Sequence, residues 1–393
     1  MRPRKRSSPS WSRPAAATPT AARPSSRPWP ACCARATASR PRSSWSAPTP
    51  CPRPRRASSA APRPRPPIWP APTSAPEVEG AGTIAVTGAT GFLGQHLVRA
   101  IAERGLAPRI LSRRDPISPF WRGIEPQVVP GDLSSAKALE RLCDGAEVVI
   151  HLAGLIKAAD RAAFDKVNVD GARAAAQAAT RAGARFVLVS SLAAREPQLS
   201  DYAASKRAGE EAVLAVAPEA LIIRPPAIYG PGDRETVGLF AAAQGSRLLP
   251  VLSPASRVAM IEVRDAAAQI LDLVLSRRAG LASICDARSD GYAWSEIMSA
   301  AAAAVGAKPP RLLRVPEGLI RAAGSIADMA SRFSRQPSVF GSGKARELSH
   351  ADWAFSDDPS LASSPSRHDV ARGFGETVDW YRSAGWLSKK YSD

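Results

Sequence analysis

Short apolar runs rich in β-branched residues alternate with longer alanine-rich stretches from residue 83 onward. The short runs predict strands at 83–87, 109–112, 127–129, 147–152, 185–190 and 221–223, because unbroken apolar runs are typical of strands buried on both faces. The longer stretches predict helices at 91–104, 135–143, 162–182 and 201–215, with Ser200 as the N-cap of the last one. Alternation of this kind indicates βαβ units and a parallel sheet.

The regular alternation ends at Pro225, after which proline and glycine interrupt the pattern. Helices are predicted at 265–276, 294–305 and 317–332. We therefore expect one domain over 79–225 and a smaller, mostly helical substrate-binding lobe over 226–393, from which strands can return to the sheet. Residues 343–348 and Trp353 suggest no role beyond packing.

The first eighty residues differ in composition from the remainder. They hold 15 of the 53 Lys and Arg residues, 19 of the 37 prolines and only two acidic residues, and so carry +13 of the formal net charge of +18. A stretch without apolar periodicity cannot bury enough surface to offset the entropy lost on ordering. We expect residues 1–78 to be a disordered Arg/Pro/Ala-rich segment.

Three origins for this segment are open: translation from upstream of a true start at Val78, an organellar transit peptide, or a functional arm that binds nucleic acid or a Pro-rich-motif partner. The first is favoured, because this composition, with adjacent Cys32 and Cys33, is what a GC-rich gene gives when non-coding sequence is translated. Since the rest of the chain is only mildly basic, no nucleic-acid partner is expected.

Other compositional features predict a cytoplasmic protein, organellar only if the first segment is a transit peptide. No apolar run is long enough to suggest a membrane span, and outside the first segment Cys143 and Cys285 are isolated from each other. Neither a disulfide nor a metal site is indicated.

A glycine-rich turn joins the first predicted strand to the first predicted helix. It reads Thr87-Gly88-Ala89-Thr90-Gly91-Phe92-Leu93-Gly94. Glycines at this spacing allow a tight turn and a close approach of the backbone to a pyrophosphate at a helix N-terminus. The sequence therefore predicts a Rossmann-type doubly wound α/β fold that binds a dinucleotide through Gly88, Thr90, Gly91, Phe92, Leu93 and Gly94.

The ends of the next three predicted strands supply further candidates for cofactor binding. Arg113 and Arg114 follow the second strand, at the position where NAD-binding proteins carry a carboxylate that binds the ribose 2′-hydroxyl. Two guanidiniums at this position favour NADP over NAD, because they can pair with its 2′-phosphate. A solvated surface pair is the alternative. Asp132 and Leu133 follow the third strand, near the expected adenine, although Asp132 could instead cap the next helix. After the fourth strand, small residues let a cofactor lie across the sheet edge at Leu152, Ala153 and Gly154.

A Ser, Tyr and Lys constellation predicts the reactive centre. The fifth strand ends at Ser190-Ser191, and Tyr202 and Lys206 follow four residues apart on one face of a predicted helix. A free phenol titrates near pH ~10, too high for a base at neutral pH. The cationic Lys206 and an oxidised nicotinamide would lower that pKa, giving a general acid/base for a carbonyl or alcohol, with Ser191 bonded to the same oxygen.

These residues together resemble the extended short-chain dehydrogenase/reductase superfamily, which includes the NAD-dependent epimerase/dehydratase family, UDP-glucose 4-epimerase and dihydroflavonol-type reductases. The resemblance covers about 83–281, and its further marks are 149–154, 168–171 and 224–232. It implies catalytic roles for Ser191, Tyr202 and Lys206, and a role for Asn168 in ordering the central helix and nearby backbone. It also implies that the segment from Pro225 passes under the nicotinamide.

Three departures from the family pattern narrow the chemistry. Leu192 and Ala193 stand where sugar-nucleotide dehydratases carry an Asp-Glu pair, so dehydration is not expected. The gap from Ser191 to Tyr202 is short for an epimerase of nucleotide sugars. Arg257 is one residue out of register with an arginine that often grips a substrate diphosphate.

We therefore expect an NAD(P)-dependent oxidoreductase or sugar-nucleotide epimerase that transfers hydride at a hydroxyl or carbonyl carbon. The alternative is a non-catalytic NADPH-binding accessory subunit, like the short-chain-dehydrogenase-like subunit of respiratory complex I, against which the intact Ser191, Tyr202 and Lys206 count. The expected partner is a small-molecule substrate, with a nucleotide sugar as one candidate. By analogy the chain would pair as a homodimer through helices 162–182 and 201–215.

Overall fold

The computed structural model describes residues 82–246, 248–251, 256–316, 318, 342–356, 358–362 and 365–388. The predicted disordered segment 1–78, with its suggested start at Val78, lies outside the described residues. So does nearly all of the helix predicted at 317–332.

A seven-stranded parallel sheet forms the centre of the fold, in the order β11-β6-β5-β4-β1-β2-β3. Its strands are β1 (Thr83–Thr87), β2 (Ala107–Ser112), β3 (Gln127–Pro130), β4 (Val148–His151), β5 (Arg185–Val189), β6 (Leu221–Arg224) and β11 (Gly280–Ser283). The six predicted strands are confirmed with small differences at their ends. The seventh, β11, returns from beyond residue 226 and pairs with β6.

Helices cover both faces of the sheet because side chains alternate along each buried strand. Ile84 and Val86 of β1 face a core shared with α1 (Phe92–Glu103) and α7 (Val263–Leu275), whereas Ala85 faces the opposite core. That second core contains α2 (Ala136–Cys143) and α4 (Ala172–Arg181). This is the doubly wound arrangement that the alternating pattern predicted, and it brings the carboxyl ends of the parallel strands to one edge.

The helix predicted at 162–182 is interrupted. It consists of α3 (Arg161–Asp165), a π-helical turn (Lys166–Gly171) and α4. The predicted helix 201–215 is confirmed as α5 (Asp201–Leu214), and the Ser200 hydroxyl caps it by accepting a hydrogen bond from the Ala203 N–H at 3.0 Å.

In the described part of the region after residue 226, helices hold more residues than strands do, and loops make up the remainder. The helices are α6 (Val237–Gly245), α7, α8 (Trp294–Val305), α9 (Ser342–Ser349) and α10 (Val370–Ser383). Short strands pair β7 (Ala227–Tyr229) with β10 (Met260–Glu262), β8 (Leu248–Val251) with β13 (Arg311–Arg314), and β9 (Arg257–Val258) with both β12 (Tyr292–Ala293) and β14 (Asp352–Trp353). Within the described ranges, no helix has the length and apolar character needed to cross a bilayer.

Candidate active site

The glycine turn between β1 and α1 is packed so closely that side chains would not fit. Gly88 has φ +72°, and a Cβ there would lie 2.6 Å from the Ala153 nitrogen at the end of β4. A Cβ on Gly94 would lie 2.7 Å from the Ala89 Cα. Gly91 immediately precedes α1, so the first N–H groups of the helix face the turn. This turn fits the pyrophosphate of a dinucleotide.

The neighbouring strand ends place positive charge on the same edge. Arg113 and Arg114 follow β2 and are both exposed. Hydrogen bonds from the Ser134 hydroxyl and N–H, at 2.6 and 2.9 Å, hold the pKa of Asp132 below its usual range, and the charge of Arg113 adds to this. Asp132 therefore fixes the turn before α2, while Ser135 is the N-cap of that helix.

Asn168 connects the end of β4 to α5. Its side-chain oxygen accepts from the Leu155 N–H at 2.8 Å, and its amide donates to the Leu155 carbonyl at 3.0 Å and to the Ser205 hydroxyl at 2.9 Å. The π-helical turn carries this side chain, and such turns are frequent at functional sites. A Cβ on Gly154 would lie 3.1 Å from the Asn168 oxygen and 3.8 Å from Lys206 Nζ, so the chain leaves room beside the lysine.

Ser191, Tyr202 and Lys206 meet at the carboxyl end of β5. Ser191 and Tyr202 line the same cavity, and Ser191 Oγ accepts a hydrogen bond from the Ala193 N–H at 3.2 Å. Lys206 donates to the Val189 carbonyl at 3.1 Å. The structure thus brings together the three residues that the sequence singled out.

Burial dominates the protonation of this group. It raises the pKa of Tyr202, although the nearby Ser191 hydroxyl opposes the shift, and it lowers the pKa of Lys206 to about 8 against the charge of Glu210. The phenol is therefore protonated at neutral pH and can donate a proton. The lowering predicted from Lys206 together with an oxidised nicotinamide stays a prediction.

A buried ionic network that the sequence did not suggest lies behind these residues. Arg224 donates two hydrogen bonds to the Glu210 carboxylate, at 2.9 and 2.6 Å, and the Ser190 hydroxyl donates a third at 2.5 Å. The network joins Ser190, which precedes Ser191, and Arg224, which precedes Pro225, to α5, the helix that carries Lys206. The sequence feature that could have indicated this network is Glu210, an acidic residue four positions after Lys206 on the same predicted helix.

A cavity of about 920 Å³ opens at Ser191 and Tyr202. Its walls are mixed: apolar and aromatic side chains alternate with charged ones. The apolar and aromatic group includes Phe164, Leu192, Ala259, Trp294, Leu348 and Trp353, and the charged group includes Lys157, Asp160, Lys344 and Glu347. The sequence suggested no role beyond packing for 343–348 and Trp353, and the structure places residues of α9 and Trp353 in the wall of this cavity. Arg257 does not line it, and its guanidinium pairs with Glu296 at 3.3 Å.

Glu262, Asp265 and His368 lie close enough together to hold a metal ion. Protein groups already fill their bonding positions: Arg264 bonds both Glu262 and His368, and Asp265 accepts from Ser366 and two backbone N–H groups. We interpret the cluster as a structural hydrogen-bond network inside the protein.

The fold is of the Rossmann type, and Ser191, Tyr202 and Lys206 stand at the carboxyl ends of its parallel strands. A family model described as NAD dependent epimerase/dehydratase family matches residues 84–252. A ceramide reductase of Caulobacter vibrioides (strain NA1000 / CB15N) is 60% identical over 308 residues, covering 78% of this chain and 97% of that protein. The chain belongs to the NAD-dependent epimerase/dehydratase family of extended short-chain dehydrogenases/reductases, as the resemblance predicted.

Two further proteins show how far the similarity extends. The mouse NADH dehydrogenase [ubiquinone] 1 alpha subcomplex subunit 9, mitochondrial, is 36% identical over 166 residues, covering 39% of this chain and 43% of that protein. The structure of MoeE5 in complex with UDP-glucuronic acid and NAD has a TM-score of 0.57 at 19% identity, covering 77% of this chain and 99% of that one. The latter similarity concerns the fold alone.

Proposed function

We propose that the protein is an NADP-dependent reductase of a carbonyl group in a ceramide-class lipid. The observation that carries the proposal is the position of Ser191 and Tyr202 on the wall of a large cavity that also presents apolar and aromatic side chains. The apolar and aromatic part of the wall can contact hydrocarbon chains. The 60% identity to a ceramide reductase along almost its whole length supports the substrate class.

The reduction adds a hydride to the carbonyl carbon and a proton to its oxygen. When bound, the dinucleotide supplies the hydride from C4 of its nicotinamide. Tyr202, which burial keeps protonated, donates the proton, and Ser191 hydrogen-bonds the same oxygen. The Lys206 ammonium stabilises the phenolate that remains until Tyr202 is reprotonated.

Tyr202→Phe tests the assignment of the proton donor. Loss of a general acid lowers kcat by about 10²- to 10⁴-fold, and the Kd for NADPH should be unchanged. The assay follows oxidation of NADPH with a long-chain N-acyl amino ketone. Tyr292→Phe is the matched control, because its hydroxyl donates to Asp286 and does not line the cavity. Equal activity of Tyr202→Phe and wild type would exclude this role.

The preference for NADP is supported by the exposed Arg113 and Arg114, which directly follow β2. The double variant Arg113→Ala/Arg114→Ala should bind NADPH at least about tenfold more weakly, with little change for NADH, since only NADPH carries the 2′-phosphate. Fluorescence titration measures both affinities, with Arg207→Ala on α5 as the control. Equal binding of the two cofactors by wild type would contradict the preference.

The same assays separate the catalytic proposal from a structural role like that of a respiratory-complex subunit. A protein that only holds its cofactor would bind NADPH and show no turnover in either wild type or Tyr202→Phe. The partial match to the mouse subunit, 39% of this chain, is the reason to include this outcome.

A further inference from the structure

Glu347 on α9 is a buried carboxylate in the wall of the cavity that takes no part in the mechanism above. Its side chain is 11% exposed and lines the cavity with Tyr202 and Ser191. The Ser200 hydroxyl donates to Oε1, and Lys344 Nζ lies 3.3 Å from Oε2. These contacts fix the carboxylate in one position.

Several contacts hold α9 against the start of α5, where the reacting tyrosine lies. Ser200, which bonds Glu347, is two residues before Tyr202, and Arg346 donates to the neighbouring Leu199 carbonyl at 2.7 Å. Trp353 donates from its indole N–H to the Glu347 carbonyl at 2.8 Å. The charge of Glu347 is near enough to Tyr202 to raise the pKa of the phenol, in addition to the effect of burial.

This carboxylate retains bonding capacity toward the cavity. An ionised carboxylate can accept about four hydrogen bonds, and among the described residues Ser200 and Lys344 supply one each. A buried acceptor gains most from an additional N–H or O–H donor, because bonds to charged groups are stronger than neutral ones. Because Tyr202 and Glu347 line the same cavity, a substrate whose carbonyl oxygen contacts Tyr202 extends into the space that Glu347 also lines.

We infer that Glu347 is a specificity-determining residue that accepts a hydrogen bond from the amide N–H of the substrate. The inference rests on the proposed function. In a ceramide-class lipid the amide nitrogen is attached to the carbon adjacent to the oxygen-bearing carbon. A donor therefore lies two bonds from the reacting centre, while the hydrocarbon chains occupy the apolar part of the cavity.

The test compares a short-chain N-acyl amino ketone with its ester analogue, in which oxygen replaces the amide N–H. Wild type should prefer the amide by roughly tenfold to a hundredfold in kcat/KM, mainly through KM. Glu347→Gln should lose most of that preference by weakening the amide alone. Lys344→Met, which removes the competing donor, should keep or increase it, and Glu211→Gln on the exposed face of α5 should match wild type.

A binding measurement makes the result independent of turnover. The Kd values of the corresponding amide and ester alcohols are measured by calorimetry with NADP⁺ present. An amide preference that is present in wild type and disappears in Glu347→Gln supports the inference, even if no substrate is reduced. Absence of reduction would contradict only the proposed function. Equal loss of both analogues in Glu347→Gln, no preference in wild type, or no binding of either analogue would overturn it.

Discussion

Glu210 sets the electrostatic environment of Lys206 at the level of single residues. The two are four residues apart on α5, and the Glu210 charge raises the pKa of Lys206 against the effect of burial, leaving it at about 8. In the proposed mechanism Lys206 stabilises the phenolate of Tyr202 only while its amine is protonated, so activity should fall as the pH rises through that pKa.

Glu210→Gln should therefore move the alkaline limb of the kcat/KM profile to lower pH, because the Lys206 ammonium loses its nearest stabilising charge. The measurement is the pH dependence of NADPH oxidation with saturating cofactor. Glu211→Gln removes one charge from the adjacent, exposed position of the same helix and should leave the limb in place. A Glu210→Gln profile that overlays wild type would show that Glu210 serves only the fold.

The elements around the site are joined by the ion pair between Arg224 and Glu210, which connects β6 to α5. The side chains are 11% and 5% exposed, and their closest approach is 2.6 Å. Arg224→Met alone leaves a buried carboxylate without its partner and should cost about 3–5 kcal/mol of unfolding free energy. Arg224→Met with Glu210→Leu should recover most of that loss, as measured by urea unfolding. Equal destabilisation by the single and double changes would mean that packing, and not the unpaired charge, is responsible.

The elements of the fold also differ in how well they could be predicted from the sequence. The strands β1 to β6, α5 and its Ser200 cap could be predicted from local sequence patterns. The turn at Gly88 and the Tyr202/Lys206 pair could also be predicted, because each is a short motif within a few consecutive residues, and Ser191 follows directly from the end of a predicted strand. The π-helical turn at Asn168 follows from no such pattern, since it depends on bonds to Leu155 and Ser205. The polar sequence of α9 gives no signal either, because its position beside Tyr202 is fixed by contacts with residues near 200, far away along the chain.

At the scale of the whole molecule, we propose that two chains associate through α4 and α5. Leu214 near the end of α5 is 39% exposed, a large apolar side chain that a partner helix would cover. Light scattering on the full chain should give the mass of a dimer, and Leu214→Glu should shift it toward the monomer. Leu281→Glu, at a similarly exposed leucine on the edge strand β11, is the control. A wild-type monomer at micromolar concentration would exclude the proposal.

Global stability should depend on pH through two buried histidines. Burial lowers the pKa of His96 to about 4 and that of His151 to about 3, from an ordinary value of 6.5. His151 is 1% exposed and bonds Thr87 Oγ1 through Nδ1 at 2.9 Å. Both rings stay neutral in the folded state while the unfolded chain takes up protons below about pH 6.5, so their contribution is complete above that pH and is lost as the pH falls toward the folded-state values.

Each histidine should therefore cost about 2 kcal/mol of unfolding free energy between about pH 7.5 and pH 5. Carboxyl groups titrate in the same range, and burial raises the pKa of Asp286 to about 6, so the informative quantity is a difference between variants. His151→Asn, whose amide can replace Nδ1 beside Thr87, should lose about 2 kcal/mol less than wild type over that interval in urea unfolding. His350→Asn, at a more exposed histidine, should follow wild type. If His151→Asn shows the full wild-type pH dependence, His151 must take up its proton in the folded wild-type protein as readily as in the unfolded chain. Burial at the end of β4 would then not lower its pKa.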